Sequence, residues 1–221
     1  MEVPVSMIDE IYVFDDIIEK PYQELIKETL IGGDKPPPID EPEKPFPWYY
    51  ISDITDADHE STFQGRFGFT HQYVTPEDGI CCPFHNLFLG LIQNSCKKLK
   101  IKEIDILNGR SFLQTPTNIP KDKVDSPHVD LIVPHFVMLY YVCDSDGDTL
   151  IYNEKTKFAA CYPDDEMEFT LKKQVSPKQG RVVLFNGIHW HTAQQPNHRV
   201  RCIVNYDLRD LSHVIPGGVR I

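Results

Sequence analysis

The chain has 221 residues, 41% of them hydrophobic and 25% charged, which suits one domain with a sizeable core and argues against global disorder. A formal net charge of −11 favours solubility. It opposes the positive field that nonspecific binding to nucleic acid or an anionic membrane surface requires. No apolar run is long enough to span a bilayer.

The six cysteines, Cys81, Cys82, Cys96, Cys143, Cys161 and Cys202, contain no CxxC pair. They therefore read as small core residues of a reducing compartment, with no structural zinc site. Met1 is followed by Glu2 and by no basic, apolar leader, so the expected location is the cytoplasm.

In chain order, Ile11-Tyr12-Val13-Phe14 reads as a short strand. A helix is expected from about Pro21, a favourable first-turn residue, to Gly32-Gly33, with Tyr22, Leu25, Ile26 and Leu30 on one face. Six prolines between Pro36 and Pro47 make 34–48 an extended strap. The aromatics Phe46, Trp48, Tyr49 and Tyr50 anchor that strap to the main domain. From Pro83, the residues Phe84, Leu87, Phe88, Leu91, Ile92, Cys96 and Leu99 keep helical spacing, and Lys97, Lys98 and Lys100 sit at the end that favours cations.

Beyond residue 100 the texture changes. Short β-rich runs at 103–115, 128–133, 135–143, 149–153, 157–161, 166–171, 181–185, 189–193 and 199–207 are divided by turns such as Asp144-Ser145-Asp146-Gly147 and Pro177-Lys178-Gln179-Gly180. This pattern predicts an antiparallel sandwich or barrel. The whole is expected to be one domain over 1–221, with helices and strap in 1–100 packed on a β core in 101–212.

One histidine has an acid two positions on, in His128-Val129-Asp130. In a strand these side chains share a face and can hold one metal between them. A second histidine pair, His189 and His191, follows the run Gly180-Arg181-Val182-Val183-Leu184-Phe185-Asn186-Gly187. Two histidines and a carboxylate form a facial triad that leaves positions open on iron. On the next strand Arg199 and Arg201 share a face, and either can grip a dicarboxylate with a bidentate pair.

From 128 to 208 the chain resembles the Fe(II)/2-oxoglutarate-dependent oxygenase superfamily, in particular its prolyl-hydroxylase-like branch and small members from phages and other viruses. The residues that carry the resemblance are His128-Val129-Asp130, Val137-Met138-Leu139-Tyr140-Tyr141-Val142, Asp146-Gly147-Asp148-Thr149, Gly180–Phe185, His191 and the strand of Arg201. Phe46-Pro47-Trp48-Tyr49-Tyr50 is similar to the entry segment of the viral members, in which case the cytoplasm would be the host's.

The resemblance implies a mostly β (α+β) double-stranded β-helix, a jelly roll with iron inside one end and N-terminal helices in support. It implies Fe(II) on His128, Asp130 and His191, with 2-oxoglutarate and O2 as co-substrates and ascorbate as an accessory reductant. It favours His191 over His189 as the distal ligand, and Arg201 over Arg199 as the anchor of 2-oxoglutarate. Tyr141 is implied as a further contact to the co-substrate, with Tyr140 turned to the opposite face. His135 and Trp190 are expected to be structural, and Asp148 and Thr149 to serve a turn and a strand start. The implied activity is decarboxylation of 2-oxoglutarate to succinate coupled to hydroxylation of a prolyl or other peptide residue or a small molecule. Trp48, its aromatic neighbours and the 115–127 loop are the expected substrate contacts. Two other readings are a non-catalytic, metal-binding jelly-roll module and a zinc hydrolase. The second lacks an HExxH-like base and leaves the strand arginine without a role.

Overall fold

The computed structural model describes residues 9–32, 46–52, 54, 66–120, 122, 124–157, 159–164 and 166–212. The expected strap lies outside the described residues up to position 45.

The described elements are β1 (Tyr12–Phe14), α1 (Lys20–Ile31), β2 (Tyr49–Ile51), β3 (Gly68–Thr75), β4 (Gly79–Ile80), α2 (Leu89–Lys98), β5 (Ile104–Gln114), β6 (Phe136–Tyr141), β7 (Thr149–Lys155), β8 (Leu171–Val175), β9 (Val182–Asn186), β10 (His189–Ala193) and β11 (Arg201–Asp210). The long strands pair into an antiparallel sheet of order β1-β9-β6-β11-β5-β3-β2, with β4 on β3. A second sheet has the order β10-β7-β8.

The central strands are buried on both faces. All residues of β6 and β9 are buried, which accounts for their continuous apolar runs. Alternate residues then serve two cores. Phe136, Met138 and Tyr140 pack with Ile26, Leu30, Leu91 and Ile92 under the helices. Val137, Leu139 and Tyr141 pack with Ile151 and Val175 of the second sheet. Two facing sheets with helices behind the larger one make the antiparallel sandwich expected from the strand pattern, in the mostly β jelly-roll, double-stranded β-helix form that the family resemblance implies.

Several elements differ from the sequence expectation. The helix predicted from Pro83 begins as a 3-10 segment over Pro83–Phe88 and becomes α-helical only at Leu89. Leu25, assigned to the buried face of α1, is 52% exposed. The run at 128–133 is not a ladder strand. Pro127 and Pro134 flank it and have no N–H to donate, and its pairing reduces to a bridge at His128.

The described part of 157–161 has no regular structure, and the strand expected at 166–171 lies at 171–175 instead. The polar sequence Leu171-Lys172-Lys173-Gln174-Val175 suits an edge strand. Before residue 101, β1, β2 and β3 join the large sheet and are more than a helical support. No helix among the described residues is long and apolar enough to cross a membrane.

Gly109 on β5 lies opposite Tyr206 on β11, and a Cβ there would overlap the Tyr206 ring, whose hydroxyl is bonded to His85 Nδ1 at 2.9 Å. Gly109→Ala is expected to lose about 1–3 kcal/mol of stability through overpacking, measured by urea unfolding. An unchanged midpoint would show that the ring can turn aside at no cost.

Candidate metal centre and its cavity

The turn at Asn186–Ile188 reverses the chain from β9 into β10. Asn186 Oδ1 accepts the Ile188 N–H at 3.1 Å, and the Gly187 N–H reaches the His135 carbonyl at 3.0 Å. The His135 ring fills the place where a Cβ on residue 187 would stand, so this turn requires glycine. β10 then carries His191 to the antiparallel bridge with His128, closed by two backbone hydrogen bonds of 3.0 Å. The two rings lie 4.7 Å apart. Donor atoms of His128, Asp130 and His191 all fall within 4.8 Å of one another.

Each imidazole is oriented through its Nδ1. His128 Nδ1 is 3.1 Å from the Ser126 carbonyl, and His191 Nδ1 is 3.2 Å from the His189 carbonyl. Donation there leaves Nε2 as the nitrogen whose lone pair a metal can use. His191 Nε2 stands 3.4 Å from Asp130 Oδ2. Burial, then the neighbouring His191, lowers the His128 pKa to about 4, so this ring is neutral near pH 7. Burial works against an ionised Asp130, but the Arg110 guanidinium and His191 outweigh it and hold the carboxyl well below the usual range. Two imidazole nitrogens and a carboxylate oxygen are a donor set suited to a divalent first-row metal.

The centre opens into a cavity of about 680 Å³. Arg201, only 3% exposed, lines the cavity together with Gln114 and Thr149. Its Nε donates to the Gly147 carbonyl at 3.0 Å, Nη1 to Gln114 Oε1 at 2.8 Å and Nη2 to Thr149 Oγ1 at 3.0 Å. All three acceptors are neutral. Burial lowers its pKa, and an incoming carboxylate would relieve that cost.

Tyr141 stands behind this wall, its hydroxyl donating to the same Thr149 Oγ1 at 2.7 Å, and burial raises its pKa to about 12. Arg199 is exposed and does not line the cavity. The loop before Arg201 is held by Asp146, whose carboxylate accepts the backbone N–H groups of Asn197, His198 and Arg199 at 3.0–3.2 Å.

Other histidines and aromatics fall outside the centre. His189 is displaced by a register shift in β10 and bonds the Tyr152 carbonyl and Asp9 Oδ1, each at 2.8 Å. His135 is fully buried, with Nδ1 2.7 Å from the Val133 carbonyl. Trp190 packs with Val129, Leu150 and Tyr152. Trp48, expected at the substrate, instead donates to the Leu30 carbonyl at 2.9 Å and packs under the helices. From the same segment Tyr50, Ile51, Ser52 and Ile54 line the cavity, and from the 115–127 loop Asp125 does.

Sequence reasoning missed Arg110, whose Nη2 donates to Asp130 Oδ1 at 2.5 Å, and Asn205, whose Nδ2 is 3.4 Å from Oδ2. It also missed the buried pair of Arg66 and Asp125 at 2.6 Å. No local motif marks these residues. The only signal for Arg110 was a charged residue inside an otherwise strand-like run.

No protein-family model and no curated protein matches the chain. Solved structures do. SnoN, the non-heme alpha ketoglutarate dependent epimerase from nogalamycin biosynthesis, is 10% identical with a TM-score of 0.55 over 91% of this chain and 79% of that one. A prolyl hydroxylase from Trichoplax adhaerens, in complex with a hypoxia inducible factor peptide fragment, is 10% identical with a TM-score of 0.54, over 90% and 83%. HygX from Streptomyces hygroscopicus, with nickel, 2-oxoglutarate and hygromycin B bound, is 14% identical with a TM-score of 0.54, over 90% and 82%. The shared property is the fold.

His128 is neutral in the folded chain down to about pH 4, whereas in the unfolded chain it takes up a proton near its ordinary value of 6.5. The unfolded state therefore binds more protons between these values, and stability falls as pH falls through that window. With chelator present, urea unfolding between pH 7 and 4 should show this loss, and His128→Gln should flatten the slope. An equal slope in both proteins would mean that folding does not lower the His128 pKa.

Proposed function

We propose that this chain is an Fe(II)- and 2-oxoglutarate-dependent dioxygenase that hydroxylates a peptide residue, with prolyl as the leading candidate. The observation that carries this reading is the pairing, in one cavity, of a two-histidine, one-carboxylate centre with a buried arginine that, among the described residues, is bonded to neutral oxygens. His128, Asp130 and His191 hold the iron. Arg201 takes the far carboxylate of 2-oxoglutarate, with Thr149 and Gln114 fixing the guanidinium and Tyr141 fixing Thr149. The iron and co-substrate supply the oxidation: O2 and 2-oxoglutarate give succinate and CO2, with one oxygen atom delivered to a substrate C–H bond.

The chain's own part is to orient, enclose and exclude water. The Nδ1 bonds to backbone carbonyls orient both rings so that their Nε2 atoms face the metal position. The β-helix walls surround the centre with Phe185, Leu139 and Ile203. All six cysteines are free thiols, in keeping with a reducing, cytoplasmic setting in which Fe(II) persists.

A peptide substrate is supported by the cavity mouth. There Tyr50, 63% exposed, stacks on Phe67 with ring centroids 6.0 Å apart and meets Phe69 edge-on at 6.1 Å. Aromatic surface of this kind suits an extended chain or a pyrrolidine ring. The Trichoplax enzyme is a prolyl hydroxylase in complex with a peptide. HygX, with hygromycin B bound, makes a small molecule the second substrate class to assay.

Purified protein with Fe(II), ascorbate and 2-oxoglutarate is expected to form succinate, and His191→Ala is expected to reduce this to the level of the metal-free protein. Arg201→Ala should raise the KM for 2-oxoglutarate at least about 30-fold, the loss of a buried charge pair worth about 2–5 kcal/mol, while Arg199→Ala leaves it unchanged. The reverse result would exchange the two arginines. Absence of both succinate formation and metal-dependent 2-oxoglutarate binding would leave the non-catalytic jelly-roll reading.

A further inference from the structure

The geometry points to Arg110 as a positioning residue that, with Asn205, clamps Asp130 so that only Oδ2 is offered to the metal. This rests on the metal centre proposed above. Arg110 on β5 and Asn205 on β11 face each other in the ladder, and both reach Asp130, Arg110 at Oδ1 (2.5 Å) and Asn205 at Oδ2 (3.4 Å). The Asp130 side chain is 2% exposed. Oδ2 is the oxygen beside His191 Nε2, at 3.4 Å. The guanidinium also lies over the Phe112 ring, 5.1 Å from its centroid, which further fixes its direction.

A carboxylate has two oxygens and, left to itself, can chelate. A charge-assisted hydrogen bond at one of them makes chelation costly. With Oδ1 held by Arg110, Asp130 is a one-oxygen ligand. Two histidines and one oxygen leave three positions of an octahedral ion open, whereas a chelating carboxylate would leave two. A co-substrate that itself chelates then leaves no room for a third ligand unless Asp130 is pinned.

Arg110 also places a positive charge against the ligand carboxylate, which weakens the attraction of that carboxylate for a cation. Its loss therefore has a signature unlike that of a purely structural contact. Metal binding holds or strengthens while co-substrate binding weakens.

The test uses Co(II) as the probe, with calorimetry and visible absorption, on wild type, Arg110→Leu and Arg110→Lys, followed by titration of the Co(II)-loaded proteins with 2-oxoglutarate. Arg110→Leu is expected to bind Co(II) at least as tightly as wild type and to shift its visible band. It should take 2-oxoglutarate more weakly by about tenfold, which is about 1.4 kcal/mol. Arg110→Lys, which keeps the charge and a donor for Oδ1, should restore the wild-type band and affinity.

If Arg110→Leu does not fold by circular dichroism, Arg110→Gln takes its place with the same expectations. An unchanged band with unchanged 2-oxoglutarate affinity would overturn the clamp. So would weaker Co(II) binding in the folded Leu or Gln variant. Wild type that binds no Co(II) would instead overturn the metal centre, and the clamp with it.

Discussion

The centre depends on the single backbone bridge between His128 and His191. Two hydrogen bonds of 3.0 Å join a segment with no regular strand to the edge of β10. Residues paired this way in an antiparallel ladder present their side chains on one face at close range, so the bridge brings the two imidazoles together. The segment has a few other ties: Val124 bridges Gln194, the Asp125 N–H reaches the Ala193 carbonyl at 3.1 Å, and Thr192 Oγ1 donates to the Asp125 carbonyl at 2.6 Å. These hold the approach to the metal motif against β10 while Pro127 and Pro134 keep it from becoming a ladder. Asp130 then turns inward, to a place where β5 and β11 can reach it.

The buried charges fall into two kinds. Asp125 is closed off by Arg66 and by Gln195, whose Nε2 is 3.0 Å from both oxygens. Asp130 is closed off on one side by Arg110. An ionised group that loses such a partner inside a protein is strongly destabilising, which explains why neither carboxylate is alone. Arg201 differs, since its donors meet a carbonyl, an amide and a hydroxyl. Those bonds satisfy its geometry, and among the described residues none of them is to a carboxylate. A site that keeps a desolvated cation in this state is prepared for an anion from outside, and the supporting dipoles need not move when it arrives.

The sequence made legible what is local. His128-Val129-Asp130 and the Gly180–Phe185 run are contiguous. The change to short β-rich runs after residue 100 announced the sheets, and β6, β9 and β11 lie close to their expected bounds. What stayed hidden is long-range. β3 carries His71, buried against the Pro47 carbonyl and Cys82, and Gln72, bonded to Asn108. Its polar residues are satisfied by partners that no local pattern reveals, so it did not read as a half-buried strand. Arg110 and Asn205 were hidden for the same reason. Their roles come from the register of β5 against β11 and from the inward turn of Asp130. Trp48 was misplaced because an aromatic residue signals anchoring without saying to which of two cores.

That register also sets the scale of the cavity. On β11 Arg201, Ile203 and Asn205 lie opposite Gln114, Phe112 and Arg110 on β5, and all six line the cavity. Alternation along a strand puts them on one face. Four residues at about 3.3 Å each separate the anchoring pair from the clamping pair by roughly 13 Å of backbone. One two-strand ladder therefore fixes both the end where a carboxylate is received and the end where Asp130 is held, with an apolar pair between them. A slip of β11 by one residue would turn its three side chains to the opposite face. The register shift in this pairing falls between Asp207 and Leu208, beyond the functional span. The distance between anchor and metal is thus a property of the most extensively paired part of the fold, and the loops are left to shape the mouth.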